Sequence, residues 1–170
     1  MDEGLLIGRL VLGLMMSAHG TQKLLGWFGG YGLDGTGGFF EQLGFRPGRL
    51  FATAAALGET AGGLLMALGL LGPVGPATVL AVMIVAAISV HWSHGLFAAN
   101  NGIEVPLLYA TGAVVLTLTG PGRYSLDGLL GLLTVWTPGV SLAALAVGIA
   151  AGVANLAARR TLAPSARTAA

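Results

Sequence analysis

The chain has 170 residues, of which 55% are hydrophobic and 29 are glycine, and its mean hydropathy is +0.82. Charged residues make up 9%, against roughly 25% in a soluble globular domain, and a net charge of +1 leaves no basic stripe. These figures exclude a soluble enzyme, a disordered tail and a nucleic-acid binder, and the lack of cysteine excludes disulfides, thiolate metal sites and a cysteine nucleophile. What remains is an all-α integral membrane protein, a polytopic bundle of transmembrane helices.

A hydrocarbon core of about 30 Å takes about 20 apolar residues in helix. Five segments meet or approach that length: residues 4–25, 50–71, 76–98, the shorter 103–118, and 138–158. Met1-Asp2-Glu3 is acidic, so the first segment lacks the positive start of a signal peptide and is expected to stay as a membrane helix. The loop of residues 26–49 carries nine glycines with Trp27, Phe28, Tyr31, Phe39, Phe40 and Phe45, the composition of an interfacial belt. Within it residues 39–45, with Glu41 and Gln42, read as a short helix at the bilayer surface, capping the bundle or closing over a lipid-soluble ligand. Gly30, Gly32 and Gly35 match the spacing of a dinucleotide fingerprint, but no strand precedes them and the match carries nothing. Residues 126–135 are too few to cross and are predicted to form an interfacial helix capped by Ser125 or Asp127. Pro138 after Thr137 then opens the fifth segment.

Lys23, Arg46 and Arg49 flank the first loop, and Arg159, Arg160 and Arg167 follow the fifth segment, whereas the loops after the second and fourth hold only Arg123. Five crossings place those two basic groups on one side, predicted cytoplasmic, with the N-terminus outside. The pairs Gly4/Gly8, Gly58/Gly62 and Gly148/Gly152 are predicted to let helices approach closely within one bundle, with an oligomer left open.

Ionisable residues inside a span cost about 2.5–3.5 kcal/mol on insertion scales and default to functional candidates. They are Arg9, His19, Lys23, Glu59, His91 and His94, with Glu104 at a margin. Arg9 and Lys23 lie near helix ends and can snorkel; His19 and Lys23 share a face, with Gln22 beside them. Glu59 is too deep for that, so it must be paired, protonated or turned to a polar cavity. In an antiparallel hairpin closed by residues 25–50, positions summing to about 75 share a depth, which puts Glu59 level with Met16 and less than one turn from His19. The tight turn after the second segment puts Glu59 beside His91 by the same arithmetic. His19, Glu59 and His91 are therefore predicted to form one layer, either as a structural pair of Glu59 with a histidine or as a ligand or proton-relay site. His91 and His94 share a helix face, but without cysteine or a His-x-x-x-His pair no metal or haem is expected. Proton exchange or a hydrogen bond to a carbonyl suits these imidazoles better.

Arg9 and Gly13, then His19-Gly20-Thr21-Gln22-Lys23-Leu24, resemble the first helix of the DoxX family of small bacterial membrane proteins. Gly58-Glu59, Gly62-Gly63 and Leu68-Gly69 are similar to its second helix. His91-Trp92, Gly95-Leu96-Phe97, Asn101-Gly102, Glu104 and Leu107-Leu108-Tyr109 continue the pattern, and Gly120-Pro121-Gly122-Arg123-Tyr124-Ser125-Leu126-Asp127 is its most distinctive block. The resemblance spans about residues 5–130 and implies a four-helix core over 1–130, to which 131–158 adds a further helix and 159–170 a cytoplasmic basic tail. It further implies an inner-membrane location and redox chemistry linked to quinone. On that basis Glu59, His91 and His19 are the expected catalytic groups, and Arg9, Lys23, His94 and Gln22 the expected substrate contacts. Arg9 and Lys23 would attract an anionic donor from opposite sides. No cofactor motif is present, so electrons would come from a soluble redox partner or directly from substrate. The alternatives are a non-enzymatic membrane anchor for soluble redox proteins, and a small-solute or proton transporter using the same polar layer.

Overall fold

An apolar segment in hydrocarbon must satisfy its own backbone hydrogen bonds, which a helix does within one stretch of chain. The computed structural model describes residues 2–160, and its regular structure is helical throughout; Arg167 and the rest of the expected basic tail after Arg160 lie outside the described residues. The helices are α1 (Asp2–Leu25), α2 (Gly32–Gln42), α3 (Gly48–Leu68), α4 (Val74–Ala86), α5 (Glu104–Thr119), the single turn α6 (Leu126–Leu129) and α7 (Pro138–Ala157). α4 runs on through a wide π turn, Ala87–His91, and a 3-10 turn, Trp92–His94. Four of these stretches are long and apolar enough to cross a membrane: α1, α3, Val74–His94 and α7.

The bundle has two ends. At one, Arg123 N donates to Asp2 Oδ1 at 3.0 Å and Asp127 N to Gly69 O at 3.1 Å, which gathers the start of α1, the α3–α4 turn and the α5–α7 connection. At the other, Arg160 N donates to Gly44 O at 2.9 Å and ties the end of α7 to the α2–α3 turn. α4 descends from the first end and α7 must start there again, so α5 makes the return journey. Its 16 residues cover about 24 Å, short of the full hydrocarbon thickness. α7 packs along α4 and touches α5, which makes it part of the same bundle.

Glycines set the closest approaches. A methyl on Gly13 of α1 would sit 2.5 Å from Gly63 O of α3, and one on Gly63 would sit 2.6 Å from Gly13 O, so these two backbones are in contact. Gly62 faces Thr78 of α4, and Gly148 and Gly152 of α7 face the Ala77 and Ala81 carbonyls, as small-residue packing within one bundle requires. Gly4 and Gly8 differ from the expectation, because nothing lies within 4 Å of where their Cβ atoms would be. Between α1, α3, α4 and α5 the core is Met16, Met66, Val79, Leu80, Met83, Ala113 and Leu116.

Four predicted boundaries move, each for a local reason. The second span ends at Leu68 and not at residue 71, because Gly69 takes a positive φ of 61°. The third span begins at Val74 and ends at His94, because Gly95 takes a positive φ of 81°. The surface helix of the first loop begins at Gly32, well before residue 39. Residues 126–135 do not form one interfacial helix: α6 stops at Leu129, Gly131 turns left-handed with φ 71°, and a 3-10 turn, Leu133–Val135, follows.

Ser125 is the cap of α6, its Oγ accepting from Gly128 N at 2.9 Å and donating to Gly122 O at 2.6 Å. Replacing it with alanine is expected to lower stability by about 1 kcal/mol, measured as a shift in the detergent unfolding midpoint. Asp127 serves a different purpose. Fully buried, it accepts from Leu71 N at 3.1 Å, Gly72 N at 2.6 Å and Trp136 Nε1 at 2.8 Å, and so clamps the α3–α4 turn. Arg9 completes this end: Nη1 donates to Ala67 O at 2.8 Å and Nη2 to Tyr124 O. Ala67 is in the last turn of α3, where carbonyls lack helical partners and the helix dipole favours a cation.

Candidate functional site

Small residues leave room at the basic end of the bundle. Ala54 and Ala55 on α3, Ala81 and Ala86 on the α4 side, and residues of α2 line a half-open cavity of about 820 Å³. α2 is held down at its far end, where Glu41 Oε1 accepts from Gly48 N at 3.1 Å. Tyr31, Phe39, Phe40, Phe45 and Phe51 form an aromatic wall. Phe45 is fully buried, with ring centroids 5.6 Å from Phe40 and 5.2 Å from Phe51, spacing at which rings attract and stiffen one another. The polar lining comes from Gln22, Lys23, Glu59, Ser89, His91 and Asn155 on four spanning stretches, and from Asp34, Thr36 and Gln42 of α2.

Glu59 is 3% exposed, and its Oε2 lies 2.5 Å from Lys23 Nζ. The buried carboxylate is therefore paired, though with neither histidine named by depth arithmetic. The reason lies in side-chain direction: helical side chains lean toward the helix N-terminus. On antiparallel α1 and α3, Lys23 and Glu59 lean toward one another and together close an offset of about seven residues, roughly 10 Å. Lys23 is thus the partner of Glu59 rather than a snorkelling anchor.

His19 and Gln22 sit alongside. His19 Nδ1 lies 3.2 Å from Gln22 Oε1, while Gln22 Nε2 donates to Phe28 O at 3.2 Å. Because the Gln22 amide points its NH₂ at a carbonyl, its oxygen accepts, and His19 Nδ1 carries the proton in this contact. The His19 ring meets Tyr109 of α5 edge-on at 6.1 Å. His91 reaches the cavity wall, and its Nδ1 donates to Asn101 O at 2.8 Å, leaving Nε2 available.

The remaining sequence candidates fall elsewhere. His94 is exposed, its Nδ1 within 3.0 Å of Val90 O one turn back, and it does not line the cavity. Arg9, expected to snorkel and to meet substrate, is 3% exposed and belongs to the clamp at the opposite end. Its burial follows from the Gly13–Gly63 contact, which presses this stretch of α1 against α3. The single layer of His19, Glu59 and His91 resolves into Glu59 and His91 on one cavity, with His19 behind Gln22.

Ser89 and Asn155 also line the cavity and are not among the sequence candidates. Asn155 is a lone amide in an otherwise apolar stretch of α7, a usable signal. Ser89 sits in the π turn, where its Oγ donates to Val85 O; such turns have no sequence signature but recur at functional sites. Among the described residues no three His, Asp or Glu side chains come together as metal ligands would.

No curated protein and no solved structure matches the chain. The family model that does match is DoxX, over residues 4–92, which takes in Arg9, His19, Gln22, Lys23, Glu59 and His91. The match ends before the block at 120–127 that also resembled the family, and it covers more than half of the chain. With four helices able to span a bilayer, this chain is a membrane protein that belongs to the DoxX family.

Proposed function

We propose that this protein is a quinone-binding subunit of an oxidoreductase in the bacterial inner membrane, with the N-terminus outside and the basic end in the cytoplasm. The observation that carries the reading is the buried Lys23–Glu59 pair on the wall of a cavity whose lining is mainly apolar and aromatic. Its volume of about 820 Å³ falls within the range of small-molecule and cofactor sites, with room for an aromatic head group and part of an isoprenoid tail. Orientation rests on Lys23, Arg46, Arg49, Arg159 and Arg160 at the cavity end, against Arg9 and Arg123 at the other.

Bound quinone would supply two-electron redox chemistry, and reduction to quinol takes up two protons. The residues present suit that demand. Lys23 spends one N–H on Glu59 and keeps two for a carbonyl oxygen. His91 Nε2 is available on the facing wall, its ring orientation set by Asn101 O. Glu59 can hold or release a proton beside the ammonium group, and the aromatic side chains offer faces against which the ring of a ligand can stack. Electrons would come from a soluble redox partner or from substrate.

The test is quinone extracted from protein purified in mild detergent, for wild type, Glu59→Gln and Ala55→Leu. The last fills the cavity one turn from Glu59 while leaving both charges of the pair in place. Near-stoichiometric quinone in wild type, reduced about tenfold or more in both variants, is the expected result. Wild type without quinone would overturn the reading in favour of a non-enzymatic anchor.

A further inference from the structure

At the end of α7, Arg159 Nε donates to Leu43 O at 2.5 Å and Arg160 N to Gly44 O at 2.9 Å. These bonds hold Arg159 and Arg160 against the α2–α3 turn, which itself carries Arg46 and, one turn into α3, Arg49. All four arginines are exposed. Their charges are unequally answered. Arg49 pairs with Asp34 at 3.2 Å, and one oxygen of Glu41 is engaged by Gly48 N. Among the described residues, Arg46, Arg159 and Arg160 have no carboxylate within ion-pair distance. Arg159 uses only Nε on the turn, which leaves its two terminal nitrogens free.

Position and surroundings narrow the partner. The three arginines stand just beyond the start of α3 and the end of α7, where spanning helices leave the hydrocarbon. Directly inward, Leu50 of α3 and Val153 of α7 expose apolar surface that acyl chains can cover. Guanidinium groups bind phosphate through paired N–H donors, and basic pockets between spanning helices on the cytoplasmic side suit phosphorylated lipid head groups. Three unanswered charges exceed what one phosphodiester neutralises.

We propose that Arg46, Arg159 and Arg160, brought together where α7 docks on the α2–α3 turn, form a seat for a membrane phospholipid bearing two phosphates. One phosphate lies against Arg159 and Arg160 and the other against Arg46, with the acyl chains on Leu50 and Val153. The site adjoins the cavity across Leu43 and Phe45; it rests on the orientation proposed above but not on the quinone reading. It also bears on folding, because the lipid would staple the last helix to the first loop.

The experiment is native mass spectrometry of the full chain in neutral detergent, titrated with cardiolipin, phosphatidylglycerol or phosphatidylcholine. Wild type is expected to retain cardiolipin at least tenfold better than phosphatidylcholine, with phosphatidylglycerol between them. Each arginine near a charged lipid surface contributes about a fivefold factor. Arg46→Gln/Arg160→Gln is therefore expected to lose about 25-fold and approach the phosphatidylcholine level. Arg123→Gln, at the opposite end, should leave retention unchanged. An unshifted unfolding midpoint in lipid-free detergent shows that the double variant is folded. Equal retention of all three lipids, or an equal loss in Arg123→Gln, overturns the proposal. So does displacement of cardiolipin by millimolar pyrophosphate, which would mark a site for free anions or acidic soluble partners.

Discussion

Asp127→Ala is expected to destabilise the folded protein by about 3–5 kcal/mol, more than any cap or surface change. Three donors lose their acceptor together: Leu71 N, Gly72 N and Trp136 Nε1. The two amides belong to a turn with positive φ at Gly69, Leu71 and Gly72, of 61°, 59° and 49°. Leu71 is not glycine, so its left-handed backbone is strained and persists because Asp127 holds it. Trp136 packs directly on Gly72, where an added Cβ would lie 2.3 Å from the indole, so loosening the turn also frees the ring. Unfolding in mixed micelles, followed by tryptophan fluorescence, should show the loss. Asp127→Asn, which keeps one carbonyl oxygen, should retain part of the stability. A change below about 1 kcal/mol in Asp127→Ala would show that the turn holds without its clamp.

Lys23→Met should be the most damaging change at the cavity, and its damage should be repaired by a second substitution. Removing Lys23 leaves a carboxylate that is 3% exposed with no cation against it; breaking a buried pair in this way costs about 3–5 kcal/mol. Glu59→Gln should cost less, about 1–2 kcal/mol, because the Lys23 side chain is 29% exposed and can turn its ammonium toward the cavity mouth. In Lys23→Met/Glu59→Gln no uncompensated charge remains, and stability should return to within about 1 kcal/mol of wild type. A complete double-mutant cycle in detergent unfolding measures the coupling. Additive losses would mean that the two groups do not interact in solution. Quinone content should stay low in all three variants even where stability recovers, which separates the pair's part in folding from its proposed part in binding.

The candidate site was half legible. Glu59 was visible because a short acidic side chain in the middle of an apolar span has few resting states, and all of them involve a partner. Depth arithmetic brought His91 to the same cavity. It failed on the partner itself, since it counts rise along the axis and ignores where side chains lean; at about 100° of turn per residue, facing is lost long before depth is. Gln22 and Lys23 were grouped correctly with His19 on one helix face, while His94 was drawn in by its spacing to His91; the two rings part because His91 bonds Asn101 O and His94 turns back to Val90 O.

The all-α membrane class was determined by the sequence alone, because bilayer thickness and the cost of unpaired backbone groups leave a hydrophobic chain one solution; of the five crossings expected, four helices among the described residues have the length to span, and α5 is short. The local motifs carried the family. Contacts between residues distant in the chain were decided by tertiary structure. Asp127 looks like a helix cap until it meets amides 56 and 55 residues away. Arg9 looks like an anchor until the glycine crossing buries it against the last carbonyls of α3. The cavity brings small residues of α3 and α4 and aromatics of α2 to one place, and which residues share a place is a property of packed helices, set by how their surfaces interlock.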